Sequence, residues 1–145
     1  MSMKKVKNIL FSFIGLWLSS FICTSIQLVF QKQSIIPKEA IFPNTGAILY
    51  AIILAPILEE LIFRDGLIPA LDKVARKFHW KYHQAIAIVI SAGLFACYHL
   101  PQTFLLPFFI NGLIYGVLRW KNQDNYSSII AHILYNLSVS LPLFI

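Results

Sequence analysis

Polar and apolar residues are sorted along this chain into long blocks. Residues 9–31, 84–118 and 125–145 contain no Asp, Glu, Lys or Arg. Crossing the hydrocarbon of a bilayer takes roughly 20 residues at helical rise, and without water the backbone must close its hydrogen bonds within helices. A buried core helix would account for one such block but not for three. The pattern predicts spans over about 9–30 and about 47–63, the second running through ILYAIILAPILEELIF. Pro56 is expected to kink it just before Glu59 and Glu60. The block 84–118 is too long for one span. His99-Leu100-Pro101-Gln102 divides it into 84–100 and 103–119, and a fifth span covers about 127–144. Between spans two and three, Leu67, Leu71, Val74 and Phe78 recur among charges at helical spacing. They predict an amphipathic helix over 65–83 lying at the membrane interface. Pro43, Asn44 and Gly46 mark a turn ahead of span two.

The expectation is an all-α, polytopic integral membrane protein with about five transmembrane helices and one interfacial helix. It forms a single membrane domain, with an N-terminal span over 9–30 and a motif-bearing core over 47–144. Composition agrees: of 145 residues, 58% are hydrophobic and 12% charged, against about a quarter charged in soluble domains. The net charge of +6 does not point to nucleic acid, because the basic residues cluster at the ends of apolar runs. With the N-terminus inside, Lys4, Lys5, Lys7, Arg64, Lys73, Arg76, Lys77, Lys81, Arg119 and Lys121 are cytoplasmic, leaving Lys32 and Lys38 outside. The positive-inside rule thus predicts a multi-pass protein of the cell membrane, N-terminus cytoplasmic and C-terminus outside. The first span is too long for a signal peptide and lacks a small-residue cleavage site, so it reads as uncleaved. Cys23 and Cys97 lie within apolar runs and read as buried small residues rather than a disulfide or metal pair.

The chemistry sits on a few polar residues at membrane depth. Glu59 and Glu60 end an apolar run, where carboxylates are costly and point to function. Arg64 follows Glu60 by four residues on the same helical face, so those two pair, while Glu59 is rotated about 100° away and stays free as a base. The plainer reading places both at headgroup level, marking a helix end. His99 and His132 lie within spans; His79 and His83 fall in the basic segment and are expected to be solvated. Phe95 shares a face with His99, and Asn136 with His132. Carboxylate, imidazoles and amide suit activation of a water and stabilisation of an oxyanion, or ligation of a metal. Asn111, Gly112 and Gly116 read as a small-residue packing face.

Depth raises a difficulty. Counted from the cytosolic boundary, Glu59 and His132 lie about 7–8 Å deep and His99 about 22 Å. One site cannot span that gap. Either the helix bearing Glu59 continues past Arg64, or span three begins later than residue 84.

Glu59-Glu60-Leu61-Ile62-Phe63-Arg64 resembles the EExxxR motif of the CPBP family (CAAX protease and bacteriocin-processing, or Abi) of intramembrane endopeptidases. Phe95-Ala96-Cys97-Tyr98-His99 resembles its FxxxH motif, and His132-Ile133-Leu134-Tyr135-Asn136 its HxxxN motif. Together and in order they are specific, and the resemblance covers about 47–140. It implies that Glu59 is the general base assisted by His99, that His132 and Asn136 polarise the scissile carbonyl, and that Glu60 and Arg64 support the site. Zinc is compatible with Glu59, His99 and His132 as ligands, and a glutamate-type enzyme without metal is the other possibility. A single span before the motif core departs from many relatives.

Three functions compete. The first is hydrolysis of peptide or membrane-protein substrates in the bilayer, as in bacterial peptide maturation or bacteriocin immunity. The second is a non-enzymatic immunity protein that binds its partner and keeps the motifs as structure. The third is a proton or ion pathway, disfavoured by the lack of an internal repeat.

Overall fold

The computed structural model describes residues 1–30, 45–100 and 105–140, and nearly all of them are helical. The first rod, α1, is Met3–Phe30. The second, α2, runs unbroken over 45–77 through the segments Thr45–Leu49, Tyr50–Leu54, Ala55–Glu60, Leu61–Leu67 and Ile68–Lys77. Then come α3, His83–Tyr98, α4, Leu106–Asn122, and α5, Tyr126–Ser140. No strand occurs among the described residues, in line with the all-α expectation. The turn expected at 43–46 lies largely outside the described residues, as do the Pro101-Gln102 break and the end of span five.

Two prolines shape α2. A proline inside a helix has no N–H to donate, and its ring crowds the carbonyl four residues earlier. Here the strain is absorbed by widened, π-type turns just ahead of each ring. The Ala55 N–H reaches back five residues to the Tyr50 carbonyl before Pro56, and the Ile68 N–H does the same to Phe63 before Pro69. The kink expected at Pro56 is therefore a bulge, and a second bulge follows the acidic pair. Such turns are frequent at functional sites.

The separate interfacial helix expected over 65–83 does not form, because nothing breaks the backbone between Arg64 and Lys77. Of the expected apolar positions, Leu67 and Leu71 are half-buried, whereas Val74 and Phe78 are exposed at 54% and 63%; Ile68 and Ala75 are buried beside them. Ile68 and Leu71 pack against Ala87 and Ile88 of α3 and Leu113 of α4. The chain reverses at His79, whose left-handed φ of 56° ends the helix. His83 is not simply solvated, as its Nδ1 pairs with Asp72 across the reversal and Arg76 holds the same carboxylate.

Two stretches, Met3–Gln27 and Gly46–Lys77, are long and apolar enough to cross a membrane, and His83–Tyr98 is a shorter apolar helix. At 32 residues the second stretch is about 48 Å long, more than the roughly 30 Å of a hydrocarbon core. A single crossing therefore needs only part of this stretch, and its last turns carry the charges.

Close approach of α3 and α4 depends on glycine, as the small-residue pattern predicts. A Cβ at Gly112 would lie 3.0 Å from the Ala92 Cα, and one at Gly116 would lie 2.8 Å from Ile88 Cγ2. On the other side, α1 packs along α4 and α5. Its lower end is pinned by polar contacts: Lys5 pairs with Asp124, and the Asn8 amide donates to Asn122 Oδ1 at 2.6 Å. Of the cysteines, Cys23 is buried as expected but Cys97 is exposed.

Candidate active site

Both bulges of α2 flank Glu59 and Glu60, and the two carboxylates face different surroundings. Glu60 is fully buried. Its Oε2 lies 3.3 Å from Arg64 Nε, and its Oε1 accepts from His132 Nδ1 at 3.0 Å. The pairing with Arg64 matches the spacing argument, and the bond to His132 is an addition that spacing did not reveal. Glu59 keeps part of its side chain in a cavity of about 280 Å³ bounded by α2, α3, α4 and α5. His132 Nε2 lies 3.8 Å from Glu59 Oε2, so one imidazole stands between the two carboxylates.

Arg64 is the largest fully buried side chain. Its guanidinium lies 4.4 Å from the centroid of the Phe95 ring and 5.2 Å from that of Tyr115, and Nη2 donates to the Gly112 carbonyl at 3.3 Å. The close helix contact at Gly112 thus also supplies the carbonyl that receives Arg64. An arginine held between aromatic faces and a carboxylate keeps its charge without water.

His99 reaches the same cavity from the end of α3. Its Nδ1 lies 2.8 Å from the Phe95 carbonyl, which only accepts, so Nδ1 carries the proton. The neutral ring therefore has its lone pair on Nε2. Phe108 stacks on the imidazole at 4.2 Å and Phe95 packs at 4.7 Å, the contact foreseen from the i, i+4 spacing. The depth difficulty is resolved by helix continuity. Since α2 runs on past Arg64 alongside α3, Ser91 donates to the Phe63 carbonyl at 3.0 Å. Phe95 follows one turn further along α3 and His99 a second turn on, which carries both back towards the acidic pair.

The rest of the motif set meets here as well. Asn136 lines the cavity and donates from Nδ2 to the Ala51 carbonyl at 3.0 Å, leaving its second N–H. Glu59, His99, His132 and Asn136 therefore share one cavity, with Glu60 and Arg64 behind it.

The metal reading fits less well. Among the described residues no three His, Cys, Asp or Glu side chains are grouped to hold an ion. Phe95 packs against both imidazoles, its ring centroid 4.7 Å from that of His99 and 6.1 Å from that of His132.

Two residues escaped the sequence reading as site members. Tyr115 is fully buried and stacks on His132 with centroids 4.5 Å apart and planes 20° apart. Asn111, taken for a packing residue, lines the cavity, and the Ser19 hydroxyl of α1 lies 3.3 Å from its Oδ1. The signal was present: Asn111 and Tyr115 are four residues apart, hence on one face. Tyr135, also in the wall, is bonded to Ser20 of α1.

Residues 41–138 match the family model described as Type II CAAX prenyl endopeptidase Rce1-like. The match includes every motif residue and excludes α1. No curated protein and no solved structure matches the chain.

Proposed function

The chain belongs to the Rce1-like family of type II CAAX prenyl endopeptidases, and from that premise we propose that it is an intramembrane endopeptidase using a glutamate-activated water. The family is one of membrane proteases acting on peptide or protein substrates. One observation carries the assignment of roles: Glu60 is consumed by Arg64 and His132, whereas Glu59 faces the cavity. Glu59 is then the carboxylate that meets a water. It takes a proton as the water oxygen attacks the peptide carbonyl, and that proton passes to the leaving nitrogen as the C–N bond breaks. His99, with its lone pair on Nε2, orients the water. The second N–H of Asn136 stabilises the oxyanion, and His132, whose Nδ1 hydrogen goes to Glu60, presents its Nε2 to the same cavity. Arg64 and Glu60 hold His132 in place.

The setting is a five-span membrane protein with its basic ends in the cytoplasm. Large apolar side chains such as Phe11, Phe21 and Ile62 are exposed around the bundle, which in lipid is burial. Peptide maturation or bacteriocin immunity in a bacterium is the role we favour.

The test compares wild type, Glu59→Gln and Glu60→Gln in proteoliposomes, using a prenylated CAAX peptide and a bacteriocin precursor as substrates, with and without chelator. Glu59→Gln is expected to lower kcat by about 10²–10⁴ while the protein stays folded in the membrane. Chelator is expected to leave the rate unchanged. Full activity of Glu59→Gln sinks the role of Glu59, and chelator loss restored by zinc sinks the metal-free reading.

A further inference from the structure

A second cavity, of about 380 Å³, lies on the outside of the bundle between α3 and α4, away from the candidate active site. Its floor is Ile88 and Val89 of α3 with Leu113 and Val117 of α4. No carboxylate is among its lining residues. At one end the character changes to Lys81, Tyr82 and Trp120. The groove is therefore an apolar trough with a cationic, aromatic mouth.

Three features give the mouth its polarity. Lys81 is held near the Tyr82 ring, its Nζ 5.4 Å from the centroid. Tyr82 begins α3 without a side-chain cap, so the first N–H groups of that helix have no partner within it. The nearby carboxylate, Asp72, is already paired with Arg76 and His83. Around the mouth, Phe78, Trp80 and Tyr82 are exposed in the reversal that joins α2 to α3. Exposed aromatic rings beside lysines mark the level of lipid headgroups.

We propose that this groove binds one anionic phospholipid of the cytoplasmic leaflet, an acyl chain lying in the trough and the phosphodiester at Lys81 and the start of α3. The inference rests on the membrane reading above. The apolar floor opens sideways between two helices, where lipid tails and not water are the neighbours. The cationic mouth without a free carboxylate selects an anionic headgroup over a zwitterionic one. Basic pockets between membrane helices on the cytoplasmic side recognise headgroups in this way.

The experiment uses the full chain in vesicles containing brominated phosphatidylglycerol or brominated phosphatidylcholine, and reads tryptophan quenching. Trp17→Phe/Trp80→Phe leaves Trp120 at the groove, and Trp80→Phe/Trp120→Phe leaves Trp17 on α1 as the report of insertion. Trp17 is expected to be quenched equally by both lipids, and Trp120 more strongly by phosphatidylglycerol. Lys81→Gln should lower that preference on the order of fivefold, the worth of one basic residue at an anionic surface. Lys77→Gln, with the same change of charge outside the groove, should leave it unaltered. Val89→Phe should abolish the preference by filling the trough at a half-exposed position. If Trp17 is quenched while Trp120 responds alike to both lipids, the lipid site is wrong and the membrane reading stands. If neither tryptophan is quenched, the membrane reading has failed, and the site with it.

Discussion

Replacing Arg64 by methionine tests whether the buried charges are as interdependent as their positions imply. Arg64 and Glu60 are both fully buried. Removing the cation leaves the carboxylate with His132 Nδ1 as its remaining polar contact at 3.0 Å. Breaking a buried ion pair from one side costs about 3–5 kcal/mol, because the surviving charge stays desolvated. One observation places this case near the lower bound. The Nε–Oε2 contact of 3.3 Å is close but not aligned as a hydrogen bond, since neither atom has a hydrogen-bond partner among the described residues. About 3 kcal/mol corresponds to roughly two orders of magnitude in the unfolding constant. The assay is unfolding by added sodium dodecyl sulfate in mixed micelles, followed by circular dichroism. Glu60→Leu/Arg64→Met removes both charges and should recover most of the loss, as apolar replacements of buried pairs commonly do. If Arg64→Met unfolds with wild type, or the double variant is as unstable as the single one, the two charges are not coupled in this way.

Two further outcomes come from the geometry. Gly116→Ala should destabilise the bundle by about 1–3 kcal/mol through overpacking against Ile88, whereas Gly93→Ala, which meets nothing within 4 Å, should stabilise it by up to about 1 kcal/mol; the same detergent titration ranks them, and equal effects would refute the close approach of α3 and α4. At the turn between α4 and α5, partial burial pushes the Asp124 carboxyl up, but bonds from Lys5 and from the Ser127 N–H outweigh it and hold it below its ordinary value. A depressed carboxylate contributes stability above its unfolded value of about 3.9 and loses it as pH falls through the folded one. Asp124→Asn should therefore be less stable than wild type at pH 7, with the gap closing below about pH 4; a gap that persists there would show that charge is not the cause.

Much of this protein was legible from residue order. Long uncharged runs set the all-α class, because helices satisfy the backbone where water is absent. The i, i+4 rule joined Glu60 to Arg64 and Phe95 to His99, since those contacts lie within one helix and depend only on helical pitch. The three motifs were enough to identify the family, and the match over 41–138 agrees.

What lay beyond reach was decided between helices or by continuity along one helix. No local signal states that α2 continues through Pro56 and Pro69, because a proline leaves open whether the helix breaks, kinks or widens. Spacing likewise identified one partner for Glu60 but not the second, since His132 comes from a helix 72 residues away. The sequence alone determined which residues carry charge at depth and which of them share a helical face. Only the packing of α3, α4 and α5 around α2 decided that Phe95 packs against both imidazoles, that Asn111 and Tyr115 enter the site, and that Glu59 keeps access to the cavity. Local pitch is written in spacing, whereas the meeting of distant helices depends on steric fit, as at Gly112, where α4 comes close to α3 and its carbonyl receives Arg64.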